Sequence, residues 1–323
     1  MSRTLQELFV DRERQLDAFR RMIEGSSRRR VMLIAANPGM GKSWTLQMFA
    51  HEAASRNLPL VQFDFADGLA YDALMLVRRC RDAFGSQHFN ALTQAINEAT
   101  NTRITLATET NGTTSVATPA AQPVQADALT INTGGGDFAA GNIDKRQGQV
   151  FIDGPVIKDN YFVVQTDNPL VRQAMEDRIN TAFFECLNVL SQQTKLVFLF
   201  DSYERNSLDA ATWQPNEADR WVVGQLLTRI RDGRLQNAIV VIAGLRTPEF
   251  GVEWNEVLGR MSLEPLDCSD VTLYLRERRG LSIITDAEAQ RLCQAVGGSP
   301  QVLGMIGDNL ELANRPQGQD DEW

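Results

Sequence analysis

The sequence predicts an α/β fold in which a mostly parallel sheet is covered by helices and followed by a small helical module. Short apolar runs alternate with amphipathic segments along most of the chain, and a glycine-rich loop joins the first run to a helix. Three short helical segments follow the last run. Strands that alternate with helices are typical of parallel sheets that are buried on both faces.

Length and composition favour a globular chain whose default partner is not a polyanion. The 323 residues are 43% hydrophobic, which is enough to build a sizeable core. A balance of 32 Lys+Arg against 41 Asp+Glu gives a net charge of −9, which repels nucleic acid, although a local basic patch is still compatible with it. No run reaches the roughly 18 apolar residues of a membrane helix, and the N-terminus is charged where a signal peptide is apolar. We therefore expect a cytoplasmic protein with no membrane partner.

The cysteines and histidines do not predict a metal site. The four cysteines are far apart, form no C-x-x-C pair and are accompanied by two histidines. Thiols in a cytoplasmic protein are normally reduced, so we expect Cys80, Cys186, Cys268 and Cys293 to be free.

Residues 1–99 predict the first part of the sheet domain. Apolar residues recur at helical spacing from Leu5 to Ile23, on both sides of the sequence VDRE, which indicates a short helix, a turn and an amphipathic helix. Two short apolar runs then predict buried strands, and each is followed by a helical segment. In order, these segments are RRRVMLIAA, GKSWTLQMFAHEAASR, LPLVQFDFA and YDALMLVRRCRDAFG.

Residues 100–167 have a different composition and predict an insertion in the sheet domain. They are rich in Thr, Gly, Ala and Asn; the part up to Ala126 predicts a flexible linker, and ALTIN, QVFIDG and NYFVVQ alternate like short strands. Disorder of the whole segment is the alternative. Because the insertion lies outside the alternating plan, our hypothesis is that it mediates self-association or docks an effector.

Residues 168–266 resume the sheet domain, and residues 267–315 predict a helical lid. In residues 168–266 the sequence predicts the helix NPLVRQAMEDRINTAFFECLNVLSQQ, the strand KLVFLFD, the helix DRWVVGQLLTRIRDGRL and the strands NAIVVIAGL and RMSLEPL. In the lid it predicts three short helices, two of which begin at the capping residues Ser269 and Thr285. Residues 316–323 form an acidic tail.

The sequence ANPGMGKS matches the phosphate-binding pattern G-x-x-x-x-G-K-[ST], with Ala36 in place of the first glycine. Backbone N–H groups from Gly39 to Ser43 can surround phosphates, Lys42 can reach the β- and γ-phosphates, and the Ser43 hydroxyl can bind Mg²⁺. The loop lies between a predicted strand and a predicted helix, which is the context that this motif requires. ATP or ADP with Mg²⁺ is therefore the expected cofactor.

Two further strand ends supply candidate catalytic residues. Asp201 ends the apolar run in LVFLFDSYE, where a carboxylate can hold Mg²⁺ beside a phosphate loop. Many hydrolases have a carboxylate directly after this aspartate, which orients the attacking water, but this chain has Ser202 at that position. Glu204 is therefore the candidate for this role. The alternative is that Glu204 is an ordinary surface charge. Arg246 follows the strand NAIVVIAGL and is a candidate sensor of the γ-phosphate, or else an ordinary loop arginine.

Two arginine groups have weaker functional interpretations. Three arginines lie at the end of a predicted helix: Arg229, Arg231 and Arg234. One of them can act as an arginine finger, which contacts the nucleotide bound to a neighbouring subunit. The favoured interpretation is that they form a solvated helix face. The run from Arg28 to Arg30 is interpreted as the charged entry to a strand rather than as a nucleic-acid patch.

Six segments together resemble the STAND class of signal-transduction NTPases, relatives of the AAA+ ATPases. They are FVDRERQLDAF, NPGMGKS, FLFDSYE, VVIAGLR, LEPLDCSDVTLYL and VGGSPQVLGMI, in that order. The resemblance covers most of the chain outside the insertion and is to bacterial members with a D-x-[FY]-E motif, matched by Asp201, Tyr203 and Glu204. It implies an ATPase that acts as a switch and oligomerises with ATP, in bacterial defence or stress signalling. Its effector or sensor would lie on another chain or a missing segment.

The resemblance also implies nucleotide contacts. The family's entry motif F-V-G-R-E lies next to the adenine; Phe9, Val10, Arg12 and Glu13 match it, and Asp11 replaces the glycine. Pro300 matches the proline of a G-x-P element in the lid. The predicted nucleotide-binding residues are Phe9, Val10, Arg12, Asn37, Pro38, Gly39, Met40, Gly41, Lys42, Ser43, Trp44 and Pro300. Ala36 and Ser202 depart from the stronger hydrolases of the wider superfamily, which implies slow turnover.

Two other functions compete with a signalling switch. An AAA+ ATPase of the origin-recognition or DNA-loading type would share the sheet and lid, but the negative charge and the lack of a recognisable DNA-binding helix module weigh against it. A small-molecule kinase would need an acceptor pocket that the sequence does not show.

Overall fold

The structure, a computed structural model, describes residues 5–97, 129–132, 137–140, 156–158, 161–163 and 169–313. The chain divides into two compact units, Met1–Tyr71 with Leu190–Trp323, and Asp72–Val189. The predicted insertion, 100–167, falls inside the second unit, which begins earlier and ends later. Within the described ranges, none of the helices has the length and hydropathy needed to cross a bilayer.

The elements of the first half follow the predicted order. They are α1 (Leu5–Leu8), α2 (Glu13–Glu24), β1 (Val31–Ala35), α3 (Lys42–Ser55), β2 (Leu60–Asp64) and α4 (Ala73–Phe84), then a 3₁₀ turn (Ser86–His88) and α5 (90–97). Helix α2 is amphipathic, as its periodicity predicts, because Leu16, Phe19, Met22 and Ile23 recur on one buried face.

Two antiparallel strand pairs lie in the second unit. Strand β3 (Leu129–Asn132) pairs with β4 (Asp137–Ala140), and β5 (Val156–Lys158) pairs with β6 (Tyr161–Val163). The predicted strands ALTIN and NYFVVQ are thus confirmed as β3 and β6, whereas β4 and β5 were not predicted. The segment QVFIDG and the linker predicted up to Ala126 lie outside the described residues.

The rest of the chain contains the remaining strands and the lid. The elements are α6 (Pro169–Gln193), β7 (Leu196–Asp201), a 3₁₀ turn (Tyr203–Asn206), α7 (Glu217–Trp221), a π-helical segment (Val222–Leu227), α8 (Thr228–Arg231), β8 (Ala238–Gly244), a 3₁₀ turn (Val252–Trp254), β9 (Leu258–Ser262), α9 (Cys268–Thr272), a second π-helical segment (Leu273–Arg278), α10 (Asp286–Val296) and α11 (Pro300–Ala313). Strand β9 begins two residues before the predicted run RMSLEPL.

The first unit contains a five-stranded parallel sheet in the order β2-β7-β8-β1-β9. Ala35 at the end of β1 is aligned with Gly244 of β8 and Ser262 of β9, and Asp64 of β2 is aligned with Asp201 of β7. Because the strands are parallel, their carboxyl ends meet at one edge of the sheet. Polar groups that follow different strands are thereby brought together.

Each face of the sheet has its own apolar cluster, as the period of two along a strand requires. On one face α2 and α3 cover β1, β7 and β8, and the rings of Phe19 and Phe49 stack with centroids 4.4 Å apart. On the other face Phe63 stacks on Phe200 at 5.0 Å, and Tyr203 meets Phe200 edge-on at 6.0 Å.

The lid has a separate core and contains a disulfide bond. Its buried residues come from α9, α10, α11 and their connections, together with Val10 from the N-terminal segment. Cys268 Sγ is bonded to Cys293 Sγ at 2.06 Å, so the prediction of four free thiols is wrong for this pair; Cys80 and Cys186 are free and buried. Sequence reasoning failed here because a separation of 25 residues gives no sign of spatial proximity.

One of the two predicted helix caps in the lid is wrong. Thr285 caps α10, as predicted, and the structure adds a complete capping box with Glu288 that was not predicted. Helix α9 is capped instead by Asp267, whose carboxylate accepts the N–H of Asp270 at 2.8 Å, while the Ser269 hydroxyl donates to the same carboxylate. A carboxylate at the start of a helix also interacts favourably with the helix dipole, so Asp267 is the better cap.

Reduction of the disulfide is expected to destabilise the lid. In the chain-entropy treatment a crosslink across 25 residues stabilises the folded chain by about 3 to 4 kcal/mol. We expect a reductant to lower the melting temperature of the natural chain, measured by circular dichroism. The double variant Cys268→Ala, Cys293→Ala should melt early and be insensitive to the reductant. Equal melting of the natural chain with and without reductant would contradict this.

Candidate functional site

The loop between β1 and α3, residues 36–41, is the predicted phosphate-binding loop and is called the phosphate loop below. Gly39 and Gly41 have φ angles of 79° and 84°, a region in which other residues are strained, and Gly41 immediately precedes the first residue of α3. The Ala36 N–H donates to the Gly244 carbonyl at 3.1 Å, which fixes the start of the loop to β8. The N–H groups at the start of α3 are thereby left at the carboxyl edge of the sheet.

Lys42 lies over its own loop. Its Nζ donates to the carbonyl oxygens of Ala36 at 2.8 Å and Asn37 at 3.0 Å. Burial lowers the pKa of Lys42, whereas the negative charges of Glu204 and Asp201 raise it. The ammonium group is therefore partly desolvated and lies within the field of both candidate carboxylates.

Asp201 at the end of β7 lies near Ser43, which follows the phosphate loop at the start of α3. Asp201 is 4% exposed, and its Oδ1 accepts the Ser202 N–H at 2.8 Å. Burial raises the pKa of Asp201, and the nearby charge of Asp64 raises it further, while the Ser43 hydroxyl, the Ser202 N–H and the charge of Lys42 lower it.

These oxygen donors fit Mg²⁺ in the form that accompanies a nucleotide. Among the described residues no group of three or more His, Cys, Asp or Glu side chains forms a metal cage. Mg²⁺ beside phosphates normally takes one or two protein oxygens and completes its shell with water and phosphate oxygens. The Ser43 hydroxyl and the Asp201 carboxylate meet that need.

Glu204 and Arg246 lie near the same edge, and each is hydrogen-bonded to a neighbouring loop. Glu204 Oε2 accepts the Leu245 N–H at 2.8 Å, directly after β8. Arg246 Nη2 donates to the Asp209 carbonyl at 3.0 Å. The structure thus brings Glu204 into the field of Lys42 but turns Arg246 toward the loop that follows Glu204.

A buried aromatic network supports the turn that carries Glu204. Tyr203 is fully buried and donates its hydroxyl to Asp219 at 2.9 Å, and Trp213 donates its Nε1–H to the other oxygen of Asp219 at 3.2 Å. Burial raises the pKa values of both Tyr203 and Asp219. Ser202 has a φ angle of 54°, so the chain turns sharply between Asp201 and this anchor.

An open cleft lies beside the phosphate loop. Apart from Arg12 and Thr45, its lining side chains are apolar or aromatic. The lining residues are Leu8, Phe9, Val10, Arg12, Met40, Gly41, Trp44, Thr45, Leu266, Tyr274 and Pro300. The cleft is therefore mainly apolar, and it adjoins the phosphate loop at Met40 and Gly41.

The lid contacts the phosphate loop directly. The Gln301 N–H, at the start of α11, donates to the Gly39 carbonyl at 3.2 Å, and the Leu266 N–H donates to the Gly298 carbonyl at 2.9 Å. A Cβ atom at Gly298 would clash with the Leu266 carbonyl oxygen, so this close approach needs glycine. The lid is therefore held against the loop by backbone groups.

The structure groups most of the predicted site residues, although their ligand roles stay predictions. The phosphate set Gly39 to Ser43 lies with Asp201 and Glu204 at the sheet edge, and Phe9, Val10, Arg12, Met40, Gly41, Trp44 and Pro300 line the cleft. Asn37 and Pro38 are exposed on the loop.

Sequence reasoning missed three neighbours of this set. Asp64 ends β2 beside Asp201, and the run LPLVQFD that ends in a carboxylate was a usable signal for it. Tyr274 and Gln301 reach the cleft or the loop through the placement of the lid, for which the sequence contains no local signal.

The candidate finger arginines have local partners. Arg229 Nη1 donates to Gln225 Oε1 at 2.6 Å, and the Arg231 guanidinium lies 4.9 Å from the centre of the Trp254 ring. Arg234 is exposed. These contacts fit the favoured prediction of an ordinary helix face, and a role in a neighbouring subunit's site stays a prediction.

Four carboxylates gather where the N-terminal segment meets the lid. Burial, followed by the negative charges of Asp11 and Asp267, raises the pKa of Asp270 to about 6, and Glu13 contributes further. Burial also raises the pKa of Asp11, which the neighbouring Arg12 opposes. At neutral pH the ionised Asp270 therefore destabilises this junction.

No family model matches this chain, and no curated protein is similar to it in sequence. Among solved structures, one described as the structure of the E. coli MS115-1 HORMA:CdnC:Trip13 complex contains a chain of similar shape. The match has a TM-score of 0.45 and 11% identity, and it covers 98% of this chain and 93% of that chain. A likeness at this level supports no conclusion about function.

Substitution of Asp270 should reveal its raised pKa. The folded state holds the proton of Asp270 more tightly than the unfolded state, so the free energy of unfolding falls as the pH rises from about 4 to about 6. Asp270→Asn should therefore stabilise the chain by about 1 kcal/mol at pH 7.5, after discounting for partial exposure, and by less at pH 5. Urea unfolding at both pH values measures this. Asp17→Asn, on the exposed side of α2, is the control; an equal gain at both pH values would contradict the assignment.

Proposed function

We propose that this chain is an ATP-binding, slowly hydrolysing NTPase of the STAND type that acts as a nucleotide-dependent switch. One observation carries the proposal: at the carboxyl edge of a parallel sheet, Lys42 lies in the electrostatic field of Asp201 and Glu204, and the Ser43 hydroxyl lies near Asp201. A cation, a hydroxyl and two carboxylates at the start of a helix are the groups that a nucleotide with Mg²⁺ needs.

In this proposal each residue has a separate task. The N–H groups from Gly39 to Ser43 bind phosphate oxygens, and Lys42 exchanges the carbonyls of Ala36 and Asn37 for the β- and γ-phosphates. Ser43 and Asp201 would hold Mg²⁺, which would supply positive charge beside the phosphates. The cleft between the N-terminal segment and Tyr274 receives the base and ribose.

The resting contacts of the catalytic candidates support slow hydrolysis. Glu204 uses Oε2 to accept the Leu245 N–H, and Arg246 uses Nη2 to donate to the Asp209 carbonyl. Each side chain is thus held by a neighbouring loop, and any reorientation toward a water molecule or a phosphate adds to the barrier.

The lid contacts support a switch. The Gln301 N–H and the Gly39 carbonyl join the lid to the loop that would surround the phosphates, so ATP and ADP can differ in their affinity for the docked lid. Each nucleotide shifts the lid position by that difference in affinity. Displacement of the lid would then expose a surface for self-association or for an effector on another chain.

Loss of the Lys42 ammonium should abolish a nucleotide-dependent change in assembly. We expect the molar mass, measured by light scattering after size exclusion, to rise with Mg²⁺ and a slowly hydrolysed ATP analogue but not with ADP. Lys42→Ala should lose this rise, because the phosphates lose their main cation, and Gln47→Ala on the exposed side of α3 should keep it. An unchanged mass of the natural chain in all states would count against an assembly switch.

Replacement of Glu204 separates binding from hydrolysis. Glu204→Gln keeps the shape and the acceptor for the Leu245 N–H but cannot take a proton, so hydrolysis should fall at least about 100-fold while the affinity for ATP·Mg²⁺ changes little. Phosphate release and calorimetric titration measure the two effects. Glu249→Gln, an exposed residue after β8, is the control, and hydrolysis by Glu204→Gln at the natural rate would show that Glu204 is an ordinary surface charge.

A further inference from the structure

The guanidinium of Arg12 is a buried connection between three segments. Arg12 is 4% exposed, and its Nη1 donates to the Asp11 carbonyl at 2.6 Å and to Asp11 Oδ2 at 2.8 Å. Its Nη2 donates to the Met40 carbonyl at 3.2 Å and to the Glu264 carbonyl at 2.8 Å. These four acceptors match the four terminal N–H groups of the side chain. Although Arg12 lies in the wall of the cleft, these groups are committed to the protein.

The Met40 carbonyl links Arg12 to the orientation of the phosphate loop. The peptide bond between Met40 and Gly41 is trans, so its C=O and its N–H point in opposite directions. Because Arg12 holds the Met40 carbonyl, the Gly41 N–H is turned away from Arg12. That N–H is one of the donors that the phosphate loop offers to an anion.

The Glu264 carbonyl links the same side chain to the lid. Glu264 lies between β9 and α9, two residues before Leu266, whose N–H is bonded to the Gly298 carbonyl of the lid. A single guanidinium therefore joins the phosphate loop to the connection that carries the lid. A lysine cannot replace it, because one ammonium does not present two parallel pairs of donors in a plane.

We propose that Arg12 is a positioning residue that couples phosphate binding to lid docking: its bonds to the Met40 and Glu264 carbonyls orient the Gly41 N–H toward a β-phosphate while the lid is docked. This rests on the proposed nucleotide function for its ligand, and it differs from the contact with adenine that the family resemblance implied for Arg12. Movement of the connection at Glu264 then disturbs the Met40 peptide, so phosphate affinity depends on the position of the lid.

Asp11 supports this assignment. Its φ angle is 53°, a region that aspartate tolerates better than most residues, and its carboxylate anchors Nη1 of Arg12. A glycine, which the resembling family has at this position, would allow the same backbone but would offer no carboxylate. The departure from the family motif thus strengthens the hold on Arg12.

The test compares Arg12→Lys with Arg14→Lys, an exposed arginine in the first turn of α2. Calorimetric titration with ADP and with AMP, both with Mg²⁺, should show that Arg12→Lys weakens ADP about tenfold, the size expected for one misdirected hydrogen bond, and AMP less than about twofold. Amide hydrogen exchange at Gln301 without ligand should become faster in Arg12→Lys and stay unchanged in Arg14→Lys.

A second variant covers the risk that Arg12→Lys misfolds. Asp11→Asn keeps the shape and the tolerance of positive φ but weakens the anchor of Nη1, and it should weaken ADP about threefold and AMP less. Exchange at Gln301 is measured in Arg12→Lys only, because Asp11→Asn also removes the repulsion between Asp11 and Asp270. Equal losses for ADP and AMP would overturn the proposal, because they would mean that Arg12 acts on the base or the first phosphate. Unchanged exchange at Gln301 in Arg12→Lys would also overturn it.

The nucleotide function and this inference fail separately. If the natural chain binds neither ADP nor AMP, the proposed function is wrong, and with it the phosphate part of the inference. The structural coupling of Arg12 to the lid is then decided by the exchange at Gln301 alone, which is faster in Arg12→Lys if the coupling exists and equal to that of the natural chain if it does not.

Discussion

The shared direction of the five strands is the constraint on which the candidate site depends. Since β2, β7, β8, β1 and β9 are parallel, each strand delivers its last residue to the same edge. Asp201 therefore lies near Ser43, although 157 residues of sequence lie between them, and Glu204 accepts the N–H that follows β8. An antiparallel neighbour would have placed these groups at opposite edges of the sheet.

The burial of this edge shifts the pKa values of its charged groups and makes their charged forms less stable. Burial raises the pKa of Asp201 and lowers that of Lys42, so each group is less stable in its charged form than it would be in water, and each partly compensates the other. The Lys42 ammonium group also donates its hydrogen bonds to the carbonyl oxygens of Ala36 and Asn37 in the loop. An incoming phosphate would give Lys42 and the loop N–H groups an anionic acceptor in place of the neutral carbonyls.

Local patterns predicted the parts of this arrangement that a single segment encodes. The apolar run before Asp201, the glycines around Met40 and the helix cap at Thr285 are local, and each is present. Features that depend on long-range contacts were missed. The Cys268–Cys293 bond and the place of Tyr274 in the cleft follow from how the lid helices pack, and the choice of Asp267 over Ser269 as a cap was a competition between two good capping residues.

The N-terminal segment links the sheet to the lid more closely than its sequence motif suggests. Val10 is buried in the lid core, while Arg12, two residues on, bonds the phosphate loop and the connection to α9. The carboxylates of Asp11 and Asp270 repel each other at the same junction. The lid cannot move far without exposing Val10 or breaking the bonds of Arg12, whereas the repulsion lowers the cost of opening. If the proposed switch exists, these opposing terms are where it would act, because a ligand shifts the position of the lid only by its difference in affinity for the docked and open states.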